Sequence, residues 1–479
     1  MPNKVIIVGS GFSGICMGIK LKQAGIEDFI ILEKSSDLGG TWRENSYPGA
    51  ECDIPSALYS YSFAPNPNWE HVWSKREQIF QYQRDVATQY GITQHFRFGQ
   101  RVSSAKYENA VWTIKTQDST YEATHFISAV GQLHERFTPE IIGAETFEGE
   151  QFHAAKWNHD AELQGKSVAV IGSAASAVQL IPQVAKQASK LTVLQRTPNW
   201  MIEKPNRRYS TLEHWVAKHI PILRKAYRNL LYLQADGILY RALIGKPISS
   251  WFVKKLVNRN LKKHIRDDDL RARLTPSYTV GAKRILFSDT FYKTLNKDHV
   301  ELETQAIEAI EARGIRTSSG RVIPADVIIY ATGFITNPFL KSIEVEGTNG
   351  SLKQAWSKGA HAYLGINTSG FPNLHMMYGP NTNLGHNSII IMIEAQASYI
   401  ARNIKLLEED RGKVLDVPED IEREYNIAIQ KRLKDMVFSK IEHSWYMDQG
   451  RITNNWAGST WEYKKRLKNQ ELQSLLTNI

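Results

Sequence analysis

The sequence predicts an α/β chain with two doubly wound, Rossmann-like dinucleotide-binding domains and a helical insertion in the second. Three observations carry this. A strand–Gly-rich turn–helix unit opens the chain, a second such unit begins near residue 167, and a long basic stretch with helical spacing follows it.

The first unit starts with the apolar strand Val5-Ile6-Ile7-Val8 and runs into Gly9-Ser10-Gly11-Phe12-Ser13-Gly14. Glycines here permit a tight turn, close backbone approach to a pyrophosphate, and close packing of helix on strand. The helix start offers free N–H groups and the positive end of its dipole to phosphates. A second strand, Phe29-Ile30-Ile31-Leu32, ends at Glu33, 19 residues past Gly14. A carboxylate there accepts hydrogen bonds from a ribose hydroxyl, which suits FAD. Lys34 follows it as a further expected cofactor contact.

The second unit is Ser167-Val168-Ala169-Val170-Ile171, then Gly172-Ser173-Ala174-Ala175-Ser176-Ala177. Its middle glycine is Ala174, so the fit is looser. Its second strand, Leu191-Thr192-Val193-Leu194, leads into Gln195-Arg196-Thr197, with Arg196 19 residues past Ala177. An acid at that offset repels a 2′-phosphate, whereas a guanidinium binds it bidentately. The second site therefore reads as NADPH-binding, with Gly172, Ser173, Ala174, Ser176, Ala177, Arg196 and Thr197 as its expected contacts. Two nucleotide sites on one chain imply hydride transfer from NADPH to a flavin, which passes electrons onward.

The remaining texture orders the chain. The expected division is an FAD domain at 1–150 and 333–479, and an NADPH domain at 151–203 and 282–332. A helical insertion occupies 204–281. Apolar strands close the second unit at Ala331-Thr332-Gly333, also expected at a cofactor. At 479 residues, with 42% hydrophobic and 23% charged content, the composition is that of a soluble globular protein. The longest apolar runs, such as Ser388 to Ile393, fall far short of the roughly 18 residues a membrane span needs. No leader pattern precedes the first strand, so a cytoplasmic location is expected. The two cysteines, Cys16 and Cys52, form no C-x-x-C pair. Metal-finger and disulfide-reductase chemistry both lose support, and no metal is expected.

Net charge is +10 and it is local: residues 204–273 hold 17 Lys/Arg against 5 Asp/Glu. Such a segment is either a solvated helical face or a contact with an anionic membrane surface. No base-reading motif accompanies it, so nucleic acid is not an expected partner.

Between the two units lies Phe147-Glu148-Gly149-Glu150-Gln151-Phe152-His153-Ala154-Ala155-Lys156-Trp157-Asn158. It resembles the fingerprint of type I Baeyer–Villiger monooxygenases, F-x-G-x-x-x-H-x-x-x-W followed by Pro or Asp; Asn158 departs from the last position. Gly39-Gly40-Thr41-Trp42 through Tyr47-Pro48-Gly49-Ala50-Glu51-Cys52-Asp53 is similar to the family's longer signature. That resemblance makes Asp53 the active-site aspartate and places Gly40, Thr41, Trp42 and Tyr59 near the flavin. Many relatives carry Arg where this chain has Glu51. Gly281-Ala282-Lys283-Arg284 resembles the segment holding the catalytic arginine, here Arg284, with Lys283 at the NADPH phosphate. Ser444-Trp445-Tyr446 resembles a mobile loop whose Trp445 contacts the nicotinamide cofactor. Gly379 to Ser388, with Asn387, resembles a segment opening a helix close to the flavin.

The resemblance implies an enzyme that uses FAD, NADPH and O2. It inserts one oxygen atom beside a ketone carbonyl, through a flavin C4a-peroxide, to give an ester or lactone. In that chemistry Arg284 stabilises developing negative charge and Asp53 fixes its position. His153 is expected to support the linkage between domains, and Trp157 to pack there. Two other readings stay open: oxygenation of sulfur or nitrogen, and electron delivery to a partner without oxygenation.

Overall fold

The computed structural model describes residues 3–337, 339–410, 412–441 and 446–478. Strand β1 (Asn3–Val8) lies inside a nine-stranded sheet. Helix α1 (Phe12–Gln23) follows it, and then strand β2 (Phe29–Leu32). β1 pairs in parallel with β2 and with Thr120–Ser128, and Val8 lies level with Leu32 and Ser128. All three strands thus end at one edge, where the Gly9 turn opens; that is where doubly wound sheets hold ligands. Their apolar residues are buried on both faces, as central parallel strands require.

The sheet is mixed. Val102–Glu108, Val111–Thr116 and Thr120–Ser128 form an antiparallel meander. Two strands from much later in the chain, Glu344–Gly347 and Leu374–Met376, join the same sheet in parallel.

The second sheet has five strands, all parallel, built around β3 (Ser167–Ile171). Helix α2 (Ala175–Val184) connects it to β4 (Lys190–Leu194). Spatial order is Val300–Glu303, β4, β3, Val327–Tyr330, Glu150–His153. One face packs on α2 through Val168, Val170, Leu180 and Ile181. The other packs Ala169, Ile171 and Ile328 against Ile310, Ile315 and Ile323 of a three-stranded meander.

Helices fill 211–273. α3 (Thr211–His219) starts at a capping box, with the Ser210 hydroxyl on the Glu213 amide and the Glu213 carboxylate on the Ser210 amide. α4 (Pro221–Gln234) and α5 (Pro247–His264) both begin with proline, whose fixed φ suits a first turn. A π turn, Ala235–Leu239, follows α4. α5 anchors the insert by burying Val253, Val257 and Leu261 in the second core. Helix α6 (Ile389–Leu407) returns to the first sheet and packs on α1. Among the described residues no helix is long and apolar enough to cross a membrane.

Candidate active site

At the edge where β1 and β2 end, the chain opens a cleft of about 310 Å3. Gly9 has φ +105°, and a Cβ there would strike the Ala129 carbonyl oxygen. A Cβ on Gly14 would collide with the Gly9 carbonyl, so Gly14 lies beneath the cleft and seats α1 on the turn. Gly11 faces Gly40, and a Cβ on Gly40 would lie 3.0 Å from the Gly11 Cα. Glu33 is buried yet lines the cleft. Its Oε2 accepts from the Ser10 amide (3.0 Å) and hydroxyl (2.6 Å), and its Oε1 from the Ser35 amide (2.9 Å). Lys34 pairs with Glu44 at 2.9 Å. Phe12, Ser13, Thr41, Trp42 and Tyr59 complete this wall, and the Trp42 indole N–H donates to the Tyr59 hydroxyl (3.1 Å). A buried carboxylate aimed into a glycine-lined groove fits the adenosine half of a dinucleotide.

The second turn repeats the first. Gly172 has φ +114°, and its Cβ would strike the Ala331 carbonyl as that of Gly9 strikes Ala129. Ala174 is tolerated for a local reason. It caps α2 with φ −84°, ordinary extended backbone, as Gly11 caps α1 with φ −76°. The ladder revises one expectation. Gly9 N–H donates to Leu32 O, and Gly172 N–H donates to Leu194 O. Gln195, not Arg196, therefore takes the rung of Glu33, and Arg196 takes that of Lys34. The second unit is one residue shorter between its helix start and that rung, so equal sequence offsets do not mean equal places. The electrostatic contrast survives, because the buried residue at that rung is a neutral amide.

Arg196 is exposed, with Lys283 close enough that its charge, after burial, helps lower the Lys283 pKa. Lys283 sits over the Tyr278 ring at 5.2 Å. Among the described residues neither cation forms an ion pair, and two adjacent cations fit a 2′-phosphate. Ser173 accepts from the Asn199 amide at 2.9 Å, and Ala177 is fully buried under the turn. Thr197 is half-buried beside Arg196. Ala331 N–H donates to Ile171 O, Gly333 O accepts from Phe137 N–H, and the Thr332 hydroxyl bonds the Phe137 carbonyl. Within residues 167–197, Ala175, Ser176 and Gln179 also line the first cleft.

Asp53 and Arg284, 231 residues apart in sequence, meet in the lining of that cleft. Arg284 Nη2 lies 2.7 Å from Oδ1 and 2.6 Å from Oδ2 of Asp53. The Asp53 carboxylate raises the Arg284 pKa above its already high value, so the guanidinium keeps its charge at any working pH. Asn387 lines the cleft ahead of α6, and its amide donates to Asp236 of the insert's π turn (2.8 Å). Trp445 and Ser444 lie outside the described residues.

The residues positioning Asp53 were not anticipated. Its loop docks on α2, where the Tyr47 hydroxyl donates to Gln179 Oε1 (2.9 Å) and Gln179 Nε2 donates to the Glu51 carbonyl (2.9 Å). Lys204, wholly buried, donates to Glu51 Oε1 (2.7 Å) and to the Cys52 carbonyl (2.8 Å). The one signal in the sequence was Glu51 itself, a charged residue inside the signature two positions before Asp53.

A protein named a Baeyer-Villiger monooxygenase from Streptomyces coelicolor is 37% identical over 98% of this chain and 91% of its own length. The chain belongs to the Baeyer–Villiger monooxygenase family. A solved structure of OTEMO in complex with FAD and NADP matches this monooxygenase with TM-score 0.88 and 25% identity, over 99% of both chains. The cyclohexanone monooxygenase of Rhodococcus sp. Phi1, solved bound to NADP+, matches with the same TM-score and 25% identity, over 100% and 99%. Residues 6–232 also match a family model described as pyridine nucleotide-disulphide oxidoreductase. That description fits the nucleotide-binding scaffold, since Cys16 and Cys52 are both buried and unbonded.

The fingerprint segment of this monooxygenase runs through Glu150–His153, the edge strand of the second sheet. A Cβ on Gly149 would strike the Asp326 carbonyl, and Trp157 packs edge-on against Phe152 at 5.1 Å. His153 Nδ1 accepts from the Ala155 amide (3.0 Å) and caps a short 3-10 turn.

Proposed function

We propose that this monooxygenase converts a ketone to an ester or lactone, using NADPH and O2. The observation that carries the reading is the Asp53–Arg284 pair in the lining of the cleft, which α2 of the second unit also lines. When bound, FAD supplies the oxygen-activating chemistry and NADPH the hydride.

The chain's own residues do the rest. Glu33, Gly9, Gly11, Phe12, Ser13 and the 40–42 segment hold the flavin nucleotide. Arg196 and Lys283 hold the 2′-phosphate of NADPH. Arg284 presents a permanent cation where negative charge develops on oxygen, and such preorganised charge is worth a few kcal/mol. Asp53 takes no proton in this scheme; it fixes the guanidinium. The test is Arg284→Ala with product analysis. Ester formation should fall at least about a hundredfold while FAD content is unchanged. Full ester yield from the variant would remove Arg284 from the reaction.

The proposed division is FAD domain 1–150 and 333–479, NADPH domain 151–203 and 282–332, with 204–281 inserted. A cytoplasmic location is supported by two buried, unbonded cysteines. A peripheral membrane contact through the basic insert is a separate proposal.

A further inference from the structure

Helix α4 is turned the wrong way round for a soluble surface. None of its residues is buried. Ile222, Leu230 and Leu233, with Ala226 between them, recur at helical spacing and form one stripe. Their exposures are 74%, 52% and 64%. Arg228, on the opposite side, points inward and donates to the Ala57 carbonyl at 2.6 Å. An amphipathic helix normally buries the apolar stripe and exposes the arginine. The next helix adds to the same pattern: Ile248 and Trp251 near the start of α5 are exposed 82% and 59%.

The charge around these residues decides what covers them. Between residues 214 and 266 there are 12 Lys/Arg and one acid, Asp236. Asp236 is taken up internally by Asn387 and Thr460. Lys218, Lys225, Lys254 and Lys255 are exposed, and Lys255 stands over the Trp251 ring at 5.0 Å. A second copy docking here about a two-fold axis sets this basic surface against itself, and like charges repel. Aliphatic side chains and an amphipathic indole ringed by lysines instead match the interface of an anionic bilayer.

We propose that α4 and the start of α5 form a docking face for anionic membrane, with the apolar stripe entering the headgroup–acyl boundary. The helix is mounted on the loop that carries cleft-lining Tyr59, since Arg228 Nη1 also reaches the Leu58 carbonyl at 3.2 Å. Docking thus brings the cleft to a surface where apolar ketones dissolve. The assignment of ketones rests on the proposed function; the docking itself does not.

The test is sedimentation of the FAD-loaded full chain with vesicles of phosphatidylcholine alone or mixed with phosphatidylglycerol. Binding to the mixed vesicles, weakened by salt, is expected. Leu230→Ser/Leu233→Ser and Lys254→Glu/Lys255→Glu should each cut partitioning about tenfold or more, with turnover of a water-soluble ketone unchanged. FAD content reports whether each variant is folded, and the charge pair serves if the leucine pair is not. Absence of sedimentation with mixed vesicles overturns the proposal, as do two folded variants that sediment like wild type. A dimer in light scattering that Leu230→Ser/Leu233→Ser splits, with no vesicle binding, assigns the face to a second copy and overturns it too. Vesicle binding by a chain that oxidises no ketone would sink the proposed function and leave the docking intact.

Discussion

Lys204 shows how much of the site's geometry rests on single side chains. It is completely buried at the entry to the insert, yet it holds Glu51 and the Cys52 carbonyl, the two residues before Asp53. Removing one partner of such a pair strands a charge. Lys204→Met should cost about 2–3 kcal/mol in denaturant unfolding, less than for a fully enclosed pair because Glu51 keeps some solvent contact. Adding Glu51→Met should restore much of that stability. Product coupling should stay impaired, because the hold on Cys52 is still missing; the hydrogen peroxide released per NADPH measures it. Composition pointed the other way here, since Lys204 heads a segment whose other cations are mostly exposed. Asp53 and Arg284 were legible only through motif resemblance. Nothing in local periodicity brings together residues 231 apart.

At the scale of elements, the two Gly-rich units were legible because backbone constraints wrote them. Gly9 and Gly172 need positive φ and meet a carbonyl where a Cβ would sit. The rung shared by Glu33 and Gln195 was not legible, since it depends on helix length between strands. The proposed hold on the 2′-phosphate rests on the nearness of Arg196 to Lys283. Arg196→Ala should raise the KM for NADPH at least about tenfold and leave that for NADH nearly unchanged. A pH effect follows from Lys283, whose pKa is lowered by burial and then by Arg196. As pH rises through that lowered value the ammonium is lost, so the KM for NADPH should climb on the alkaline side. Lys283→Arg should flatten the climb, because guanidinium stays charged. An unchanged alkaline profile would place Lys283 away from the phosphate.

For the whole molecule, the meeting of α2 with the Asp53 loop decides whether the site assembles. Asp53 belongs to the first sheet's loops and Arg284 follows the insert, so their contact depends on how α2 meets the 47–53 loop. Gly49 has φ +83°, and a Cβ there would lie 2.6 Å from the Gln179 carbonyl. Gly49→Ala should therefore loosen the joint, lowering kcat while FAD stays bound. The fold class was legible end to end. The mixed character of the first sheet and the outward stripe of α4 were not, because both are set by neighbours distant in sequence. The most direct measurement is product analysis of the FAD-loaded enzyme with NADPH and O2 over aliphatic, cyclic and aryl ketones, beside matched thioethers and amines. Ester or lactone from at least one ketone, formed in step with NADPH oxidation, is expected. A thioether or amine oxidised while every ketone is returned unchanged would contradict it.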